Sequence, residues 1–362
     1  MTPSRLALRQ YAIARSLRRA DSIEAAVARL GFVQADPIRS PARAQDLTLR
    51  HRVPGYRAGD LERSYSRLPM EEDFFVNYGF LPREVYRLMH PRSGLGRWVK
   101  PGKRKAEAVL AFVRERGRVH PREVDAHFAH GSVTNYWGGS SSATTHLLDH
   151  LHYRGLLRVA GRDGGIRQYE AQTHTTDPLS LAERRARLDA LLMVLVEKYA
   201  PLPSATLSWL ANRMRIATPQ WEGDVGRSRA RLRHRLRHAR VDGVDWFFPD
   251  EPLDGAIDDR VRLLAPFDPI VWDRRRFDIL WGWPYRFEAY TPAAKRQYGY
   301  YALPILWRDE ILGWANVSRR DGGITVDAGY VQGRAPRSRQ YRQELDAELE
   351  RLRVFLRSEP AD

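Results

Sequence analysis

Gln34 and Asp36 stand two residues apart in Gly-Phe-Val-Gln-Ala-Asp-Pro-Ile-Arg-Ser (31–40), where an apolar run turns polar. In an extended segment, residues two apart project to the same face, so the amide and the carboxylate converge. Pro37 disfavours helical backbone at Asp36, which favours that extended geometry. An acid so placed can serve as a general base or as the electrostatic partner of a developing cation. The plainer reading is an Asp-Pro turn in which Asp36 only caps the chain.

Other constellations are weaker. His146 and His150 lie one helical turn apart with Asp149 and His152 close by. That is zinc-ligand spacing, but no His-Glu-x-x-His glutamate accompanies it, and Leu147, Leu148 and Leu151 suit a core helix better. His127 and His130 carry less. Tyr136 and Trp137 precede a Gly-Gly pair with no Walker lysine, so they are candidates to stack on a base or wedge a duplex. No Gly-x-Ser-x-Gly occurs, and the absence of cysteine excludes disulfides, thiolate nucleophiles and Cys-ligated metal.

The elements that must position Gln34 and Asp36 are mostly helical. A helix capped by Asp21 or Ser22 should end at Gly31 and hand over to the extended Phe32–Asp36. Helices over 104–116 and from the serines near 140 lead to a predicted hairpin over 156–171, the pattern of a winged helix. A third segment predicts helices over 180–199, 204–214 and 226–240. The last of these carries seven arginines, among them Arg229, Arg233 and Arg237, and reads as a phosphate-contacting helix. After Asp258 the chain alternates apolar and polar residues, including Tyr285–Tyr290, and predicts a small antiparallel sheet or barrel closed by a helix over 339–357. No hairpin is evident in the first segment.

Sixty Lys and Arg against 44 Asp and Glu leave 362 residues with a net charge of +16, the sign bias of a chain whose partner is a polyanion. The start reads as an amphipathic helix rather than a signal peptide, and no apolar run reaches membrane length, so a cytoplasmic location is expected.

Leu-Leu-Ala-Pro-Phe-Asp-Pro-Ile-Val-Trp-Asp-Arg-Arg-Arg (263–276) and Tyr-Arg-Phe-Glu-Ala-Tyr-Thr-Pro-Ala-Ala-Lys-Arg-Gln-Tyr-Gly-Tyr (285–300) resemble the YcaQ/AlkZ family of winged-helix DNA glycosylases. Residues 31–56 resemble its amino-terminal active-site segment, and 135–162 its second winged helix. The resemblance implies an α+β fold: tandem winged helices over 1–100, 101–178 and 179–258, then a β-barrel over 259–362. It also implies removal of alkylated bases, including guanine-N7 interstrand crosslinks, from double-stranded DNA. Gln34-Ala35-Asp36 matches the Gln-x-Asp motif of the YcaQ-like branch, which makes Asp36 and Gln34 the expected catalytic pair. Arg39, Arg43 and Arg52, with Lys295, Arg296 and Gln297, are expected at the DNA. Two departures stand out. Val76-Asn77 replaces a His-Glu pair, and Asn316 and Ser318 fall where an Asp and a Lys are usual. A monomeric, monofunctional glycosylase without cofactor or metal is the expectation. The alternative is a non-catalytic winged-helix DNA-binding protein.

Overall fold

The structure, a computed structural model, describes residues 3–93, 102–129, 131–134, 140–174, 178–252, 256–320 and 323–357. Tyr136, Trp137 and His130 lie outside the described residues.

The chain opens with α1 (Arg5–Ser16), α2 (Ile23–Leu30), β1 (Val33–Gln34), α3 (Ala44–Leu49), α4 (Asp60–Ser64), β2 (Met70–Phe74), β3 (Tyr78–Pro82) and α5 (Arg83–Met89). A second stretch follows with α6 (Lys103–Arg116), β4 (Arg118–Val119), α7 (Pro121–Phe128), β5 (Ser132–Thr134), β6 (Ser140–Ser142), α8 (Ala143–Tyr153), β7 (Leu157–Asp163) and β8 (Ile166–Ala171). The third is α9 (Leu181–Tyr199), β9 (Leu202–Pro203), α10 (Ser204–Ala217), α11 (Val225–Arg233), β10 (Arg237–Val241) and β11 (Val244–Phe248). Last come β12 (Val261–Leu263), α12 (Arg274–Trp281), β13 (Leu303–Trp307), β14 (Glu310–Arg320), β15 (Gly323–Tyr330) and α13 (Arg339–Leu356).

One arrangement recurs three times. A helix leads into a short strand, further helices follow, and a hairpin closes the unit. The short strand pairs antiparallel with the second hairpin strand, β1 with β3, β4 with β8 and β9 with β11. Local chemistry accounts for the start of the first unit. Ser22 caps α2 by accepting from Ala25 N–H, and Gly31 ends it at φ 63°, a left-handed conformation that a side chain would strain.

The first unit does have a hairpin, which sequence patterning missed. Its leading strand carries Glu71, Glu72 and Asp73 in succession, residues normally depleted in strands, and all three are buried. Each is matched. Glu71 accepts from Arg83 and Arg158 at 2.9 and 2.8 Å, and Glu72 from Arg162 and Tyr78 at 3.0 and 2.9 Å. Asp73 accepts from Arg92 at 2.9 Å and lies 2.6 Å from His90 Nε2. Burial alone would raise the Asp73 pKa, but Arg92 and His90 hold it well below the carboxylate range.

Two further expectations are corrected. The arginine-rich segment is not one helix over 226–240, since α11 ends at Arg233 and Arg237 opens β10. Leu232 and Leu236 are both buried, and the turn between them lets each reach the core. Two of its arginines are paired with acids outside the segment, Arg227 with Asp224 and Arg231 with Asp189. Of the expected sheet or barrel, the described strands after Asp258 form a four-stranded antiparallel sheet in the order β12-β13-β14-β15. Tyr285–Tyr290 is irregular chain rather than strand. No described helix is long and apolar enough to cross a membrane.

Burial lowers the pKa of His90 to about 4 and also lowers that of His152. Both imidazoles are therefore neutral when folded and take up protons more readily once unfolded. The contribution of His90 is complete above pH 6.5 and is lost as pH falls towards 4, by up to about 1.4 kcal/mol per pH unit, and that of His152 is lost in the same direction. Denaturant melts at pH 7 and pH 4.5 measure this. Equal stability at the two values would show that neither ring's ionisation is coupled to folding.

Candidate active site

Gln34 ends β1 opposite Gly79 of β3. A side chain at Gly79 would drive its Cβ to 2.2 Å from the Val33 carbonyl oxygen, so glycine is what permits this close strand approach. The chain then leaves the sheet, and Asp36 is 8% exposed. Its backbone N–H donates to Gln45 Oε1 at 3.3 Å, and its Oδ1 accepts from Ile38 N–H at 2.9 Å. Oδ2 accepts from no described donor.

The Gln34 amide is fixed from two distant parts of the chain. Its Oε1 accepts from Trp272 Nε1 at 2.8 Å and from Asn77 Nδ2 at 2.9 Å. An indole N–H can only donate, so the amide oxygen must face Trp272 and the amide NH2 is turned away from it. Asn77 is oriented in turn by Arg213, whose guanidinium donates to Asn77 Oδ1 at 2.7 Å and to the Val76 carbonyl at 2.6 Å. Trp272 is held by stacking on Tyr199, with ring centroids 4.7 Å apart, and by contact with Trp209 at 5.0 Å.

Burial pushes the Asp36 carboxyl above its ordinary value of 3.8, and the Ile38 N–H only partly offsets this. Burial first and then the Asp36 charge raise the pKa of two tyrosines from the chain before β13, namely Tyr290, which is 81% exposed, and the buried Tyr301. Their loop is organised by buried Glu288, whose Oε2 accepts from Gln297 and Tyr298 N–H at 2.8 and 2.7 Å. Asn316 supports the same loop by donating to the Tyr298 carbonyl at 2.7 Å.

The expected DNA-contacting residues scatter. Arg39 is exposed just beyond Asp36, while Arg43 is half-buried and donates to Glu62. Arg52 does not reach the surface. It is 2% exposed, forms a two-pronged pair with Asp268 at 2.8 and 3.1 Å, and donates to the Ser16 and Thr48 carbonyls. Its part is to fasten the first unit to the Phe267-Asp268-Pro269 segment. Lys295 and Gln297 are exposed and Arg296 half-buried on the Glu288 loop. Arg229 is half-buried and Arg233 exposed on α11, and Arg237 is exposed on β10. His150 and His152 are buried, His152 against the Glu72 carbonyl at 2.8 Å, whereas His146 is exposed.

Sequence reasoning missed Asn77, Arg213, Trp272, Gln45, Tyr290 and Tyr301 as neighbours of the pair. Trp272, Tyr290 and Tyr301 fall in or beside the family-like strings over 263–276 and 285–300, and that was the available signal. Asn77 was marked only as a departure from the family's His-Glu pair, and Arg213 gave no signal.

A solved structure with a similar fold is that of Streptomyces sahachiroi DNA glycosylase AlkZ, at a TM-score of 0.65 and 15% identity, with 98% of this chain and 97% of that one covered. The family model described as DNA glycosylase AlkZ-like matches residues 27–355, a span that holds Gln34, Asp36, Trp272 and Tyr301. The chain thus belongs to the AlkZ-like DNA glycosylase family.

Proposed function

We propose that this protein hydrolyses the N-glycosidic bond of cationic N7-alkylated guanine in DNA, with Asp36 as the reacting carboxylate and Gln34 as the amide beside it. The observation that carries this reading is Asp36 itself, a buried acid in a strongly basic chain that takes part in no ion pair among the described residues. A guanidinium there would lower its pKa and repel a cationic base. Without one, Asp36 is free to meet positive charge that arrives with the substrate.

The chemistry needs little more. A guanine alkylated at N7 already carries a positive charge, so it takes the electron pair of the C1′–N9 bond and leaves neutral. No acid has to protonate it, unlike the leaving group of an ordinary glycosidase, which calls for a second carboxylate. The sugar left behind is oxocarbenium-like. Asp36 stabilises it electrostatically and accepts a proton as water adds to C1′, a task for which a raised pKa is suited. Gln34, its oxygen already engaged, offers its NH2 to hold the water or the sugar. Lys198 is buried and donates to the Phe32 carbonyl, so that amine is committed to the core. The reading is accordingly of a monofunctional glycosylase acting without metal or cofactor.

The three helix–hairpin units are read as tandem winged helices on the duplex, with Arg39, Lys295, Arg296 and Gln297 flanking Asp36 and the exposed Tyr290 ring available to stack. Crosslinked guanine is included because it cannot swing into a closed pocket, and Asp36 borders the exposed Pro37 and Arg39. Asn77, neutral where YcaQ-like relatives carry Glu, bears on which adducts are accepted.

Asp36→Asn is expected to keep its affinity for DNA and to fold at least as stably, while single-turnover base release falls by about 10²–10³. Wild-type activity should decline on the acid side through a pKa above 3.8. Near-normal turnover by the variant would sink the mechanism.

On duplexes carrying one N7-methylguanine, one uracil or one N7–N7 crosslink, release should occur from the first and the third and be nearly absent from the second. Robust uracil release without N7 activity would overturn the substrate assignment.

Neutralising Arg229, Arg233 and Arg237 together should weaken binding to all sequences alike. It should also flatten the salt dependence by up to about 0.9 log unit for each DNA phosphate that these arginines neutralise. Titrations at several salt concentrations read the slope, and an unchanged slope would assign these residues to a solvated face.

A further inference from the structure

Of the described tryptophans only Trp209 is exposed, at 47%. A lone apolar side chain on a surface needs no explanation, but this one is not alone. Its ring centroid lies 5.0 Å from that of Trp272, which stacks at 4.7 Å on buried Tyr199 and donates its indole N–H to Gln34 at 2.8 Å. Aromatic surface therefore runs from the core, past the Gln34 amide, out to solvent. A second connection reaches the same amide. Trp209 and Arg213 stand one turn apart on α10, with the guanidinium carbon of Arg213 5.8 Å from the Trp209 centroid. Arg213 donates to Asn77 at 2.7 Å, and Asn77 donates to Gln34 Oε1 at 2.9 Å. Trp209 is thus placed relative to Gln34 from two sides. Those contacts still leave about half of the residue in water, beside the candidate active site of a protein whose family acts on DNA.

We propose that Trp209 is a stacking platform for a DNA base beside the lesion, covering the face that is exposed when the damaged nucleotide is engaged at Gln34 and Asp36. This rests on the reading of that pair given above. Arg213 decides between the two possible occupants. A guanidinium beside the ring repels a cationic alkylated guanine and tolerates a neutral base, so the neighbour of the lesion is the one that fits. Every base has a π-face, so an indole can cover whichever base adjoins the lesion.

The test uses the full chain and a duplex carrying 2′-fluoroarabino-N7-methylguanine, an analogue whose glycosidic bond resists cleavage. With 5-iodouracil placed in turn at positions next to the lesion, long-wavelength light crosslinks that base to an aromatic ring lying on it. The wild type is expected to crosslink through Trp209, a readout that needs no variant to fold. Trp209→Ala should bind the duplex about 5- to 100-fold more weakly, and Trp209→Phe should recover much of the loss. The salt dependence of binding should keep its slope, because a stacked ring neutralises no phosphate. Slowed base release at full duplex affinity, with no crosslink at Trp209, would make the indole a prop for Trp272 and overturn the proposal. Affinity lost together with salt slope would overturn it too, by assigning the effect to a displaced cation. Should the wild type release no base from N7-methylguanine duplex, the reading of Asp36 fails, while the crosslink still decides whether Trp209 meets a base.

Discussion

Three acids in a row on β2 cannot be buried unless cations come to them, and much of the structure follows from that demand. Removing one partner of a buried pair leaves an unpaired charge in low dielectric, which is far costlier than losing the pair whole. The cations come from several parts of the chain. Arg83 is local, but Arg158 and Arg162 reach across from β7. Arg92 bonds Asp73 and also donates to the Tyr153 and Ala217 carbonyls, at 2.8 and 2.7 Å, at the ends of α8 and α10. Three units are thereby tied to one strand. β2 pairs with β3, and β3 fixes β1 with Val33 opposite Phe80 and Gln34 opposite Gly79. The position of the Gln34–Asp36 segment is thus set by ionic packing on the far strand of its own sheet.

A second anchor acts from the other side. Arg52 and Asp268 hold the first unit to the turn that carries Trp272, and the Trp272 indole closes on Gln34. Asp273 then caps α12 through Arg275 and Arg276 N–H, and buried Arg276 returns to the Pro269 and Ile270 carbonyls. The string from Phe267 to Arg276 is therefore a clasp. Its sequence specificity reflects how many groups must be satisfied within a few residues.

The parts legible in the sequence share one property: their cause is local. Capping by Ser22 and Ser142, termination at Gly31, the hairpin over 157–171 and the long α9 all follow from neighbours along the chain. Extended backbone at Gln34 was legible for the same reason. The β2–β3 hairpin was not, because acidic residues become strand residues only when distant arginines arrive. Arg52 misled for the converse reason. A cation beside the Gln-x-Asp motif suggests phosphate, yet its acceptor, Asp268, lies in a turn more than two hundred residues away. The single helix over 226–240 failed likewise, since the chain turns after Arg233, and the partner of Arg231, Asp189, sits on α9.

These arginines alter the meaning of the net charge. A +16 chain has cations to spare, and it uses many inwardly: Arg52, Arg92 and Arg276 are all but inaccessible. Buried Glu71, Glu72, Asp73, Asp268 and Glu348 each have a guanidinium, and Glu288 has backbone N–H donors instead. Asp36 has no guanidinium among the described residues and only the single Ile38 N–H. In a protein so rich in arginine, a buried acid without a cation is not a shortage of partners. Asp46 has the Tyr56 hydroxyl and the Gly59 N–H, so among the buried acids the fold supplies Asp36 with the fewest described donors. Such an arrangement costs stability, and under the proposed function the counter-charge arrives with the substrate.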